Sequence, residues 1–135
     1  GACTNSAYAA SFGINGTFAP IADYSLLRAC ADTAQTNGTK VFIGNVLSSD
    51  TFYNDENDLP PTRRSNAIWA KMGVLAVEME TAALYMNAAR AGKKALTVLT
   101  VSDSIVTGDS TDAAARESSF TDMMKLALDT AKAVD

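Results

Sequence analysis

An α/β fold built on a parallel sheet is what this 135-residue sequence predicts. Three observations predict it. Short apolar, β-branched runs alternate with longer stretches of helical period. Polar, turn-rich segments punctuate them at Asn37-Gly38, residues 48–59 and residues 102–110. No repeat, low-complexity tract or linker divides the chain, and its length suits one domain. Strands that alternate with helices favour parallel pairing with right-handed crossovers.

Taken in order, the segment from Ala22 to Thr36 places Leu27, Cys30, Ala31 and Ala34 on one helical face, and Asn37-Gly38 stops it. Lys40–Leu47 (KVFIGNVL) reads as a strand. Residues 48–59 read as a loop, and Pro60-Pro61 opens a helix expected to run to about Met72. Val74–Val77 is a short strand that passes into a helix over Glu78–Arg90. Ala95–Val101 (ALTVLTV) is nearly all apolar or β-branched, as expected of a strand covered on both faces. After the polar segment 102–110, Thr111 is a good N-cap for a last helix with Phe120, Met123, Met124, Ala127, Leu128 and Ala131 on its apolar stripe.

Composition narrows the function. The chain is 47% hydrophobic and 19% charged, which is a globular rather than a disordered balance. Its formal charge of −4 lacks the basic face that nucleic acid requires. No apolar run approaches the roughly 20 residues that span a bilayer, and no signal peptide is visible. Histidine is absent, which removes Ser-His-Asp hydrolysis and His-based zinc sites from this chain. The two cysteines, Cys3 and Cys30, read as small buried hydrophobes in a reducing compartment. The opening Gly1-Ala2-Cys3-Thr4 has no initiator Met, and the expectation is a chain that begins inside a fold.

In open α/β sheets, ligands bind beyond the carboxyl ends of the strands. Three segments are expected there: Ser48–Tyr53, Glu78–Glu80 and Ser102–Asp103. Glu78 and Glu80 stand at a strand-to-helix junction, where a carboxylate can accept two hydrogen bonds from a vicinal diol. Acids also suit the first turn of any helix, so spacing alone leaves both readings open. Asp103 follows an apolar strand by one residue, where a low-dielectric wall can raise its pKa enough for proton donation. A turn-forming Asp is the alternative. Arg116, early in the last helix, can swing back toward Asp103 or simply face solvent. Phe52 and Tyr53 offer a stacking face for a heterocycle, or core.

The stretches GACTNS, IADYSLLRACADTA, GNVLSSDTFYND, VLAVEMETAALY, ALTVLTVSDS and AAARESSFTDMMKLAL occur in this order. Together they resemble the C-terminal part of the hexameric, bacterial-type purine nucleoside phosphorylases, within the wider nucleoside phosphorylase family. VEME belongs to the wider family; the Ser-Asp pair followed by Arg thirteen residues after the Asp is closer to the purine enzymes. The resemblance implies a mixed, largely parallel central sheet flanked by helices, incomplete in this chain, with residues 1–135 forming the C-terminal part of one domain.

It further implies phosphorolysis of purine (deoxy)ribonucleosides to free base and (deoxy)ribose 1-phosphate, in purine salvage. Phosphate is then a co-substrate, with no cofactor and no metal. The enzyme it implies is a cytoplasmic homohexamer, a trimer of dimers, with no nucleic-acid or membrane partner. By the same resemblance Glu80 accepts the ribose diol, with Glu78 and Met79 lining the nucleoside pocket. Phe52 stacks on the base, Ser102 lies beside the purine, Asp103 protonates N7 and Arg116 assists it. The family's phosphate loop and arginines precede the position of Gly1, and a neighbouring subunit lends a His and an Arg. This chain alone is therefore expected to be inactive. The chain departs from the family pattern at Asn5, usually Asp, at Ser104, usually His, and in the stretch NSAYAASFGINGTF, usually basic. The interval from Phe52 to Glu80 is also longer. The rival readings are a nucleosidase of the same fold, which uses water in place of phosphate, and a non-catalytic nucleoside-binding fragment.

Overall fold

The computed structural model describes residues 1–51, 56 and 58–134, with backbone only for 113–119. It is an α/β structure in two compact units, one formed by 1–21 and 44–93, the other by 22–43 and 94–135.

The first unit holds three parallel strands in the order β1 (Ala2–Thr4), β2 (Asn45–Ser48) and β3 (Val74–Glu78). The register aligns Ala2 with Val46 and Ala76, Cys3 with Leu47 and Val77, and Thr4 with Ser48 and Glu78. The last row is polar and lies at the carboxyl end of all three strands. Helix α3 (Thr81–Arg90) packs on β1 and β2 and closes a small core of Ala2, Leu47, Ala82, Tyr85 and Met86. β1 was not apparent in the sequence, because three residues are too few to show a period.

Helix α2 (Ser65–Lys71) is shorter than expected. A 3₁₀ turn over Pro61–Arg63 comes first, and Arg64 is extended (φ −67°, ψ 142°), so the chain from Pro61 cannot be one helix. The carboxylate of Glu56 fixes the later start: it accepts the Ser65 amide at 2.7 Å and the Ser65 hydroxyl. These bonds hold Glu56 below the usual carboxylate range.

The second unit pairs α1 (Tyr24–Asn37) with α4 (Ala113–Ala133). Asp23 caps α1 by accepting the Leu26 amide at 3.1 Å. Gly38 closes it in the left-handed conformation (φ 69°), donating to Ala34 and Gln35 carbonyls. Cys30, Ala34 and Leu126 form the core, with Leu96 and Val98 against it. Cys3 is half-buried and Cys30 buried, both as free thiols.

Three expectations are corrected here. Ala95–Val101 joins no ladder: a strand needs a hydrogen-bonded neighbour, and among the described residues none pairs with it. One face packs through Leu96 and Val98, while Leu99 and Val101 are exposed. Of Lys40–Leu47 only the end from Asn45 enters the sheet, and Phe42 is 76% exposed with the Lys40 ammonium 5.1 Å from its ring centroid. Among the described side chains of α4, Leu126 and Thr130 are buried and Met123 half-buried, leaving Phe120, Met124 and Leu128 exposed. Thr130 can sit inside because its hydroxyl donates to the Leu126 carbonyl at 2.7 Å.

The cap of α1 carries a pH prediction. Hydrogen bonds from the Ser25 hydroxyl and the Leu26 amide hold Asp23 below the ordinary carboxylate range. A carboxylate with a depressed folded pKa stabilises the fold above its unfolded pKa and loses that contribution as pH falls through the folded value. Stability measured by urea unfolding should therefore decline from about pH 4 downward, near the ordinary Asp value. An Asp23→Ala variant should be less stable at neutral pH and show a shallower acid limb; parallel curves for the two proteins would contradict this.

Candidate functional site

The polar row at the carboxyl end of the sheet is tied together from both sides. The Thr4 hydroxyl donates to the Ser48 carbonyl at 2.9 Å, and the Ser6 amide donates back to Thr4 Oγ1 at 2.9 Å. Asp50, just beyond β2, accepts the Ala7 amide at 3.0 Å. That bond and one from the Ser6 hydroxyl lower its pKa. Ser49 donates its amide to the Glu78 carbonyl at 2.9 Å, extending the β2–β3 pairing past the last strand residue.

Glu78 and Glu80 have different jobs. The first amides of a helix have no intrahelical acceptor. Glu78 Oε2 accepts two amides at this end, those of Glu80 at 2.8 Å and Thr81 at 2.7 Å. Its Oε1 accepts the hydroxyl of Ser48, and Ser48 Oγ in turn accepts the Ala82 amide at 2.8 Å. Three successive amides of the α3 entrance are thus satisfied by two side chains, one from β2 and one from β3. This is why α3 begins at Thr81 rather than at Glu78.

Glu80 occupies the N-cap position, yet its own side chain makes no capping bond. It is exposed, and among the described residues Oε2 accepts only the Met79 amide, at 3.2 Å. Glu78 is thereby consumed by structure, and Glu80 is left with acceptor capacity at the positive end of a helix. Met79, between them, is 45% exposed.

Ser48 was not singled out from the sequence, although its segment was. It is 2% exposed and is the hinge of this arrangement. The signal available was a hydroxyl residue at the carboxyl end of an apolar strand, which sequence alone cannot distinguish from a loop-start serine. Removing the hydroxyl (Ser48→Ala) strands the Ala82 amide and one oxygen of Glu78, at a cost of about 1–3 kcal/mol. Heat or urea denaturation should register that loss, and an unchanged midpoint would refute the bridging role.

In the second unit, Ser102 and Asp103 begin a tight loop. Asp103 forms an isolated antiparallel bridge with Ser110, and the Thr111 amide donates to the Ser102 carbonyl at 2.9 Å. The turn inside is closed by Ser104 N–H to the Asp109 carbonyl at 2.7 Å and Gly108 N–H to the Ser104 carbonyl at 2.8 Å. The Ser102 hydroxyl donates to Asp103 Oδ2 at 2.7 Å. Asp103 is exposed, as is Val101 before it.

Phe52 lies outside the described residues, and Arg116 is placed by its backbone in α4 without its side chain. The structure therefore brings Glu78, Met79 and Glu80 together within the first unit, and Ser102 with Asp103 within the second. A cavity of about 420 Å³ lies elsewhere in the first unit, lined by Phe12, Ile14, Phe18, Met86 and Arg90 among others. It contains none of the expected site residues. Among the described residues no group of three or more His, Cys, Asp or Glu is arranged to hold a metal ion. No helix among them is long and apolar enough to cross a membrane.

The chain is similar to proteins named purine nucleoside phosphorylase DeoD-type. The one from Clostridium novyi is 47% identical over 133 residues, covering 98% of this chain and 54% of the relative. That of Caldanaerobacter subterraneus subsp. tengcongensis is 50% identical over 114 residues, 84% of this chain and 47% of the relative. That of Oceanobacillus iheyensis is 49% identical over 113 residues, 84% and 46% respectively. This chain spans about half the length of the curated relatives it matches. The family profile described as Phosphorylase superfamily matches residues 9–134. With nearly the whole chain inside that match, the protein belongs to the phosphorylase superfamily.

Proposed function

We propose that the protein carrying this chain cleaves the N-glycosidic bond of purine (deoxy)ribonucleosides with phosphate, giving free base and (deoxy)ribose 1-phosphate. The chain contributes the side that holds base and sugar. The observation that carries the proposal is the division of labour at the α3 entrance: Glu78 caps the helix, which leaves the exposed Glu80 carboxylate able to accept a vicinal diol. Similarity to the DeoD-type purine nucleoside phosphorylases supports the reaction class.

In this reading, the bond from C1′ to the purine breaks with its electron pair leaving on the base, while a phosphate oxygen bonds to C1′. Positive charge grows on the sugar and negative charge on the purine. A proton from Asp103 to N7 relieves the second, and Arg116 stabilises the carboxylate left behind. Ser102, already bonded to Asp103, orients that acid beside the base. Glu80 grips the 2′- and 3′-hydroxyls, Met79 and Glu78 line the sugar pocket, and Phe52 stacks on the purine. Phosphate is the co-substrate, with no metal and no cofactor. The proposed assembly is a cytoplasmic homohexamer, a trimer of dimers, acting in purine salvage.

The test uses the protein as its gene encodes it. Inosine or adenosine with phosphate should yield base and ribose 1-phosphate in equal amounts, whereas omitting phosphate should stop base release. Release of free ribose in water alone would replace this reading with that of a nucleosidase. Nucleoside binding with no turnover would replace it with a binding protein.

A further inference from the structure

We propose that Asn15 is a site of spontaneous covalent modification, deamidation through a succinimide, and that the fold protects the chemically equivalent Asn37. The sequence contains two Asn-Gly pairs, and both are followed by Thr: residues 15–17 and residues 37–39. Their shared local sequence gives the side-chain amides the same covalent neighbours on that side. A difference between them therefore comes mainly from structure.

The step needs no oxidant or co-reactant beyond water. The backbone nitrogen after Asn attacks the side-chain Cγ, and a new C–N bond closes a five-membered imide. The bond from Cγ to Nδ2 breaks, and Nδ2 leaves as ammonia with the proton lost by the attacking amide. Water then opens either carbonyl of the ring, giving aspartate or isoaspartate in place of Asn15. Glycine as the second residue has no Cβ to obstruct the approach. Three conditions favour reaction: an attacking N–H not held in a hydrogen bond, a side-chain amide free to turn, and backbone room to close the ring.

Asn15 meets all three. It and Gly16 are both exposed, in a bend between the 3₁₀ turn Ala7–Phe12 and Pro20. Among the described residues, neither the Asn15 side chain nor the Gly16 amide has a hydrogen-bond partner. Gly16 has φ +143°, and no atom lies within 4 Å of where a Cβ would stand.

Asn37 has the same open space beside its glycine but fails the first two conditions. It is the last residue of α1, and the Gly38 amide that would attack donates to the Ala34 carbonyl and, at 3.3 Å, to that of Gln35. The Asn37 Nδ2 donates to Asp129 Oδ2 of α4 at 3.3 Å. The Thr39 amide donates to the Ala34 carbonyl at 2.9 Å, so the turn is held from the far side as well. Reaction at Asn37 requires the end of α1 to open first.

The product matters locally because the altered bend lies between Ile14 and Phe18, which line the 420 Å³ cavity with Phe12 and Arg90. A carboxylate there adds a negative charge to a chain already at −4, and isoaspartate lengthens the backbone by one methylene.

The experiment is peptide mapping with isoaspartate detection on the intact folded protein, aged in mildly alkaline buffer, beside a sample aged in denaturant. In the folded protein Asn15 should convert roughly tenfold or more faster than Asn37, the ratio that a local opening free energy of ~1.4 kcal/mol imposes. In denaturant the two rates should converge, and Asn15→Gln should remove the first product. Equal rates in the folded protein, faster conversion at Asn37, or no conversion at Asn15 would overturn the proposal. So would a rate difference that persists in denaturant, which would assign the contrast to sequence rather than to structure.

Discussion

Replacing Asp103 with Asn is expected to lower kcat for purine nucleosides by ~10²–10⁴-fold, the usual contribution of a positioned general acid. The purine leaves poorly as an anion, and asparagine cannot deliver the proton to N7. Asp103 is exposed and its carboxylate accepts from Ser102 at 2.7 Å, a bond the asparagine carbonyl can replace. A thermal melt of the variant, taken beside its kinetics, separates chemistry from folding. An Arg116→Ala variant should also fall in kcat, because a guanidinium stabilises the carboxylate that forms as the proton departs. Nucleosides whose base leaves readily without protonation should be nearly insensitive to either change. An Asp103→Asn enzyme that keeps full kcat on inosine would remove Asp103 from the mechanism.

Glu80→Ala is expected to cost on the order of 10²-fold in kcat/KM for ribonucleosides, since hydrogen bonds to a charged acceptor are among the stronger ones. The effect should shrink for 2′-deoxynucleosides and vanish for 2′,3′-dideoxynucleosides, which offer nothing to grip. Stability should hold, because the amides at the α3 entrance are bonded to Glu78 and Ser48 rather than to Glu80. Glu78→Ala should show the opposite balance, with a clear loss of stability and activity failing as the corner loosens. If Glu80→Ala unfolds the protein while Glu78→Ala does not, the two roles are reversed.

The α/β class was legible because β3 and α3 carry strong local signals: VLAV followed by an alanine-rich helix. Helix α1 was equally clear, its face of Cys30 and Ala34 buried as the period indicates. Ala95–Val101 misled because β-branched apolar residues favour extended backbone, but only a neighbour makes a strand, and none is paired with it among the described residues. The stripe of α4 misled for a related reason. Which face of that helix is buried depends on what packs against it, with Thr130 inside and Leu128 exposed.

At the site, the pair Glu78 and Glu80 was visible, but their division was not. Capping depends on Ser48 of another strand, thirty residues earlier, and on the register that aligns it with Glu78. Spacing within VEME gives the two acids no way to be told apart. Once the Ser48 hydroxyl is seen on Glu78, Glu80 is the one whose side chain makes no capping bond.

The most direct measurement is the phosphate dependence of base release from inosine by the protein as its gene encodes it, with the sugar product identified. Hypoxanthine appearing only when phosphate is present, matched by ribose 1-phosphate, is the predicted result. Hypoxanthine and free ribose appearing at the same rate without phosphate would contradict it.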